Sequence, residues 1–131
     1  MILNADDYGI SPSVSAAIRQ LVKANLISSV SCMVIGTSAL VELTKLRELG
    51  ADVDVGLHLV LTNDPALSEK SKVKSITVAS GHLYSFWKLF LRCHLRLVNA
   101  REVSRELKRQ REVCREVFGQ DPDFIDGHQH V

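Results

Sequence analysis

Residues 54–62 read DVGLHLVLT, and the alternation inside that stretch decides the fold. Taken as a strand, it puts Val55, Leu57, Leu59 and Leu61 on one face and Gly56, His58, Val60 and Thr62 on the other, because successive strand side chains point to opposite sides of a sheet. The first face is what helices cover. The second is small and partly polar, as a surface near a ligand would be. Upstream, 28–36 (SSVSCMVIG) reads as a second strand rich in β-branched residues, and 1–5 (MILNA) as a short buried one. Between them Ser11 suits a helix N-cap and Pro12 the first helical position. Val14, Ala17, Ile18, Leu21 and Val22 then repeat with helical spacing. Ala39, Leu40, Leu43 and Leu46 mark a second helix, and Gly50 is its expected stop. The order βαβαβ predicts an α/β fold with a parallel sheet or barrel and right-handed crossovers.

Downstream, 63–82 carries turn signals in NDP and SG and no clear period. Residues 84–98 (YSFWKLFLRCHLRLV) read as a helix. Ala100 to Phe118 read as another, with Val103, Leu107, Val113, Val117 and Phe118 inward. The chain then turns into a fourth strand, 123–131. The sequence has neither an internal repeat nor a low-complexity segment, and 131 residues fit one domain.

A net charge of +1 gives no reason to expect a nucleic-acid partner. The basic stretch 88–115 has acids interspersed, as a solvated helix face does. No apolar run reaches the ~20 residues of a membrane span. The first residues carry no basic leader or cleavage site, and Cys32, Cys93 and Cys114 have neither a CxxC spacing nor a disulfide framework. Both features point to a cytoplasmic setting.

Parallel α/β folds gather functional groups at the carboxyl ends of their strands. Three clusters fall there. In NADDYG, Asp6 and Asp7 follow an apolar strand directly, and adjacent carboxylates repel unless a cation or a proton separates their roles. His58 lies on the polar face of its strand. In DGHQHV, Asp126, His128 and His130 alternate, so a continuous strand would point all three to one face. Imidazoles and a carboxylate suit zinc and other first-row metals, and three protein ligands plus water is a usual catalytic set. His82 and His94 lack such surroundings and read as surface residues.

The pieces LNADDYGIS, SSVSCMVIG, VGLHLVLT and DGHQHV occur in an order and spacing that resembles the YdjC/ChbG-like carbohydrate deacetylase family, over nearly the whole chain. The resemblance implies a metal-dependent hydrolase that removes acetyl groups from N-acetylated sugars, of chito-oligosaccharide or glycolipid type, on a distorted β/α-barrel. It places Asp7, His58 and His128 at the metal-ligand positions and Asp6 at the catalytic base, with magnesium or zinc as the ion. His130 lies beside them as the local candidate for the general acid. Family members are about twice this long. The resemblance therefore implies that residues 1–131 form a single domain, the N-terminal half of the barrel. DGHQH also matches the Asp-x-His-x-His strand of amidohydrolase-like metal hydrolases, but those open their barrel with it. A half-barrel that binds metal or sugar, or simply assembles, without turnover is the non-enzymatic alternative. An open sheet with Ile2, Met33 and Val60 on its inward face predicts a homo-oligomer.

Overall fold

The computed structural model describes residues 2–130, apart from the side chain of His130. Four parallel strands form one sheet in chain order: β1 (Asn4–Tyr8), β2 (Ser29–Cys32), β3 (Asp54–Leu59) and β4 (Phe124–Gly127). The helices between them are α1 (Pro12–Lys23), α2 (Ala39–Leu49), α3 (Phe86–His94) and α4 (Ala100–Phe118). A parallel sheet built in chain order by right-handed crossovers carries its helices on one face and leaves the other open, as in part of a β/α-barrel.

The helices begin and end where local chemistry dictates. Ser11 accepts a hydrogen bond from the Val14 amide, with Pro12 next in the chain. Gly50 and Gly119 close α2 and α4 in left-handed conformation. α1 packs on β1, α2 bridges β1, α1 and α4, and α4 lies on β3. Ile18, Val22, Leu43, Leu46, Val113 and Cys114 meet Val30, Cys32 and Leu57 in one core. The thiols of Cys32 and Cys114 are buried and unbridged, and burial pushes the Cys114 thiol up to about 11.

Buried polar groups brace this layer. Arg19 pairs with Glu42 and donates to the Tyr8 hydroxyl at 2.8 Å, while that hydroxyl donates to the Glu42 carbonyl at 2.7 Å. The Lys45 hydrogen bond, with help from Arg19, holds the Glu42 carboxyl below its ordinary range against the cost of burial. On α4, Glu106 and Gln110 are fully buried. The Glu106 carboxylate accepts from the amides of Leu67 and Ser68, and Gln110 bonds both the N–H and the carbonyl of Val60. The Glu106 contacts tie the irregular 63–82 segment, whose Val73 and Ile76 are core residues, to the long helix, and the Gln110 contacts tie that helix to the end of β3.

Three sequence expectations need correction. The first strand is not 1–5 but Asn4–Tyr8, so the acidic pair lies within the strand rather than after it. The last strand is not 123–131: it ends at Gly127, and 128–130 form a kinked turn in which Gln129, at φ 56°, is left-handed. Asp126 and His128 therefore do not share a strand face by alternation. Of the apolar residues expected to await cover on the inward face, Met33 and Val60 are already buried, whereas Ile2 is exposed as expected. The register places Asn4, Ser29, Ser31, Asp54, His58, Phe124 and Asp126 on the open side, so that face is mostly polar.

Gly9 is the hinge between β1 and α1. Its φ is 100°, its N–H donates to Ser15 Oγ at 3.0 Å, and its carbonyl accepts from Ser38 Oγ at 3.1 Å. A Cβ there would stand 2.7 Å from the Met33 carbonyl oxygen, a backbone atom with nowhere to go. Gly9→Ala is expected to cost at least about 1–3 kcal/mol from backbone strain alone. Thermal melts should show a drop of roughly 2–8 °C per kcal/mol. An unchanged melting temperature would mean that the turn relaxes freely.

Candidate metal centre

The site forms because the strand β1 breaks its own alternation. Ala5 pairs with Val30 and Tyr8 with Cys32, so Asp6 and Asp7 together oppose the single residue Ser31. Asp7 takes φ 61°, a left-handed conformation that aspartate tolerates better than most residues. A bulge of this kind bends the strand and re-aims a side chain. In a regular strand Asp6 and Asp7 would point to opposite faces. Here both carboxylates reach the same end of the sheet.

β4 brings the third component. A flat sheet would separate β1 from β4 by about 14 Å, three strand spacings. Instead the turn after Gly127 carries His128 back over the strand ends. His128 Nδ1 lies 2.9 Å from Asp7 Oδ1, and His58 Nε2 lies 3.3 Å from the same oxygen. The two imidazole rings stand edge to face, 5.4 Å apart. Thr62, itself buried, donates to Gln129 Oε1 at 2.9 Å and pins the turn.

One ligand atom each from Asp7, His58 and His128 lies within 4.8 Å of the others. Four ligands about 2.0 Å from a tetrahedral ion stand about 3.3 Å apart. The contacts to Asp7 Oδ1, 2.9 and 3.3 Å, are of that size, so a small ion fits with minor outward adjustment. Two imidazoles and one carboxylate suit zinc and its first-row neighbours, whereas magnesium prefers oxygen ligands throughout.

Asp6 sits beside this group. It is exposed and accepts a hydrogen bond from Asn4 Nδ2 at 2.6 Å. A second set of ligand atoms, from Asp6, His58 and Asp126, also falls within 4.8 Å. Of the five residues to which the family resemblance gives a role, Asp6, Asp7, His58 and His128 come together, and Asp126 of the DGHQHV cluster joins them. The fifth, His130, has its side chain outside the described residues. His82 and His94 are exposed. Ser31, which touches both His58 and Asp126, was not singled out from sequence. Its signal was the alternation of Ser29 and Ser31 in an otherwise apolar strand.

A chain-order parallel sheet with carboxylates and imidazoles converging at its carboxyl end defines an α/β protein of the barrel type with a candidate metal site. Residues 1–131 match the family described as YdjC-like protein, and the chain belongs to that family. It is 31% identical over 134 aligned residues to proteins named chitooligosaccharide deacetylase from Yersinia pestis (strain Pestoides F) and Yersinia pseudotuberculosis serotype O:1b (strain IP 31758). Each alignment takes in 100% of this chain and 49% of the relative, so the chain spans about half the length of the curated relatives it matches. A crystal structure from Enterococcus faecalis V583, of a candidate cellobiose-phosphate cleavage protein, is similar with a TM-score of 0.86 at 26% identity. That match covers 99% of this chain and 48% of the other. Among the described residues no helix is long and apolar enough to cross a membrane.

Proposed function

We propose that this chain is the metal-and-base half of a carbohydrate N-deacetylase acting on an acetylated amino sugar, of chito-oligosaccharide or glycolipid type. The observation that carries the proposal is the meeting of Asp7, His58 and His128 around one position with Asp6 beside it. The names of the Yersinia relatives supply the substrate class.

A divalent ion held by Asp7, His58 and His128 would supply Lewis acidity toward water and an amide carbonyl, and zinc fits the donor set better than magnesium. The residues divide the remaining work. Asp7 contributes the anionic ligand, and its bulge faces the carboxylate toward both imidazoles. Asp6 takes the proton of the attacking water as general base. Its exposure leaves it accessible to solvent, and the Asn4 amide fixes one of its oxygens. His130 is assigned the proton that the leaving amine requires.

Zinc titration run beside an acetate-release assay tests the reading. Stoichiometric uptake with acetate release from an N-acetylglucosamine oligomer is the expected result. Uptake without release in the fully assembled protein would make the chain a binding module, the alternative noted above.

The assembly proposal is a homo-oligomer. β1 and β4 are sheet edges, and α3 leaves Trp87, Phe90 and Leu91 in water. Exposed strand edges and clustered apolar surface recruit partners. Light scattering on material of verified mass should give more than one copy per particle. A concentration-independent monomer would remove this proposal.

A further inference from the structure

Asp126 and Ser31 have no role in the chemistry above, yet they are the groups that hold His58. His58 is only 5% exposed and both of its ring nitrogens are engaged. Nε2 faces Asp7 Oδ1 at 3.3 Å, and Nδ1 faces Asp126 Oδ1 at 2.8 Å. Ser31 Oγ lies 3.2 Å from Nδ1 and donates to the same Asp126 oxygen. Strand register accounts for the cluster. His58 is directly opposite Asp126 on β4, and Ser31 on β2 is opposite Gly56, which shares a face of β3 with His58, so the three side chains share the open face.

An imidazole that offers its Nε2 lone pair to a cation must carry its proton on Nδ1. An ionised carboxylate only accepts hydrogen bonds, so Asp126 at 2.8 Å from Nδ1 favours that proton position over the pull of Asp7, which stands farther from Nε2 at 3.3 Å. We infer that Asp126, braced by Ser31, is a positioning residue that locks His58 as the Nδ1–H tautomer and aims its Nε2 lone pair at the space shared with Asp7 and His128. The purpose of this arrangement rests on the metal reading above, but its geometry does not. The competing use of Asp126 is as a direct ligand in the set with Asp6 and His58. That use needs the Nδ1 lone pair, hence the opposite tautomer.

The test is the tautomer itself. Long-range ¹H–¹⁵N NMR on the metal-free protein at about pH 8, where an ordinary histidine is neutral, reads which ring nitrogen of His58 is protonated. Wild type should show Nδ1–H. D126N, whose amide oxygen can still accept, should keep that form, while D126A should lose it. Zinc calorimetry on the same samples should show about a 10–100-fold loss of affinity for D126A, as for other groups that orient a metal-binding histidine, and a smaller loss for D126N. Wild-type His58 in the Nε2–H form overturns the inference, and so does a D126A protein with unchanged tautomer. The wild-type measurement needs no variant, so a misfolded D126A would leave the inference falsifiable. Failure of the metal reading shows separately, as a locked tautomer in wild type with no zinc uptake.

Discussion

Asp6→Asn is expected to leave metal affinity near wild type and to slow deacetylation by roughly 10²–10⁴-fold, the usual contribution of a positioned general base. An amide has the size and much of the hydrogen-bonding capacity of the carboxylate, but it does not take a proton near neutral pH. The Asn4 contact at 2.6 Å uses one Asp6 oxygen as acceptor, and the amide oxygen of asparagine can replace it. The fold around β1 should therefore survive, and the loss should appear in kcat. Zinc titration and initial rates on one preparation of the active assembly check both halves. A variant with near-normal turnover would move the base to another residue. A variant that lost its metal would place Asp6 among the ligands.

Asp7 should show the opposite pattern, because its carboxylate and its backbone can be separated by choice of substitution. Oδ1 stands 2.9 Å from His128 Nδ1 and 3.3 Å from His58 Nε2, so removing it takes the anion from the centre of the cluster. Both Asp7→Asn and Asp7→Ala are expected to lose more affinity for zinc than the about 10–100-fold typical of a group that only orients a ligand. They should differ in stability. At φ 61° asparagine is tolerated much as aspartate is, whereas alanine costs roughly 1–2 kcal/mol in the left-handed region. Calorimetry should rank the two alike for metal, and thermal melts should rank Asp7→Ala below Asp7→Asn. Full zinc affinity in Asp7→Asn would show that the carboxylate is not a ligand.

The sequence by itself determined the order of elements and the chemistry available at the strand ends. The β-branched runs, Ser11 and Pro12 at a helix start, Gly50 at a helix end and the period of residues 100–118 are local signals. Local hydrogen bonding and side-chain alternation suffice to read them, and α4 begins and ends where its pattern does. The family motifs likewise named Asp6, Asp7, His58 and His128 without coordinates. The tertiary structure decided how those residues meet. Alternation alone puts Asp6 and Asp7 on opposite faces, and only pairing against β2 creates the bulge that brings both to the site. Alternation also extends the last strand through residue 131, whereas the turn at Gln129, pinned by Thr62 from 67 positions earlier, sends His128 across to Asp7. Glu106 and Gln110 look like solvent-facing helix residues, and they are buried because a loop remote in sequence supplies their partners. In each case the deciding contact joins residues far apart along the chain. Its energy is absent from any local window, so a local pattern carries no trace of it.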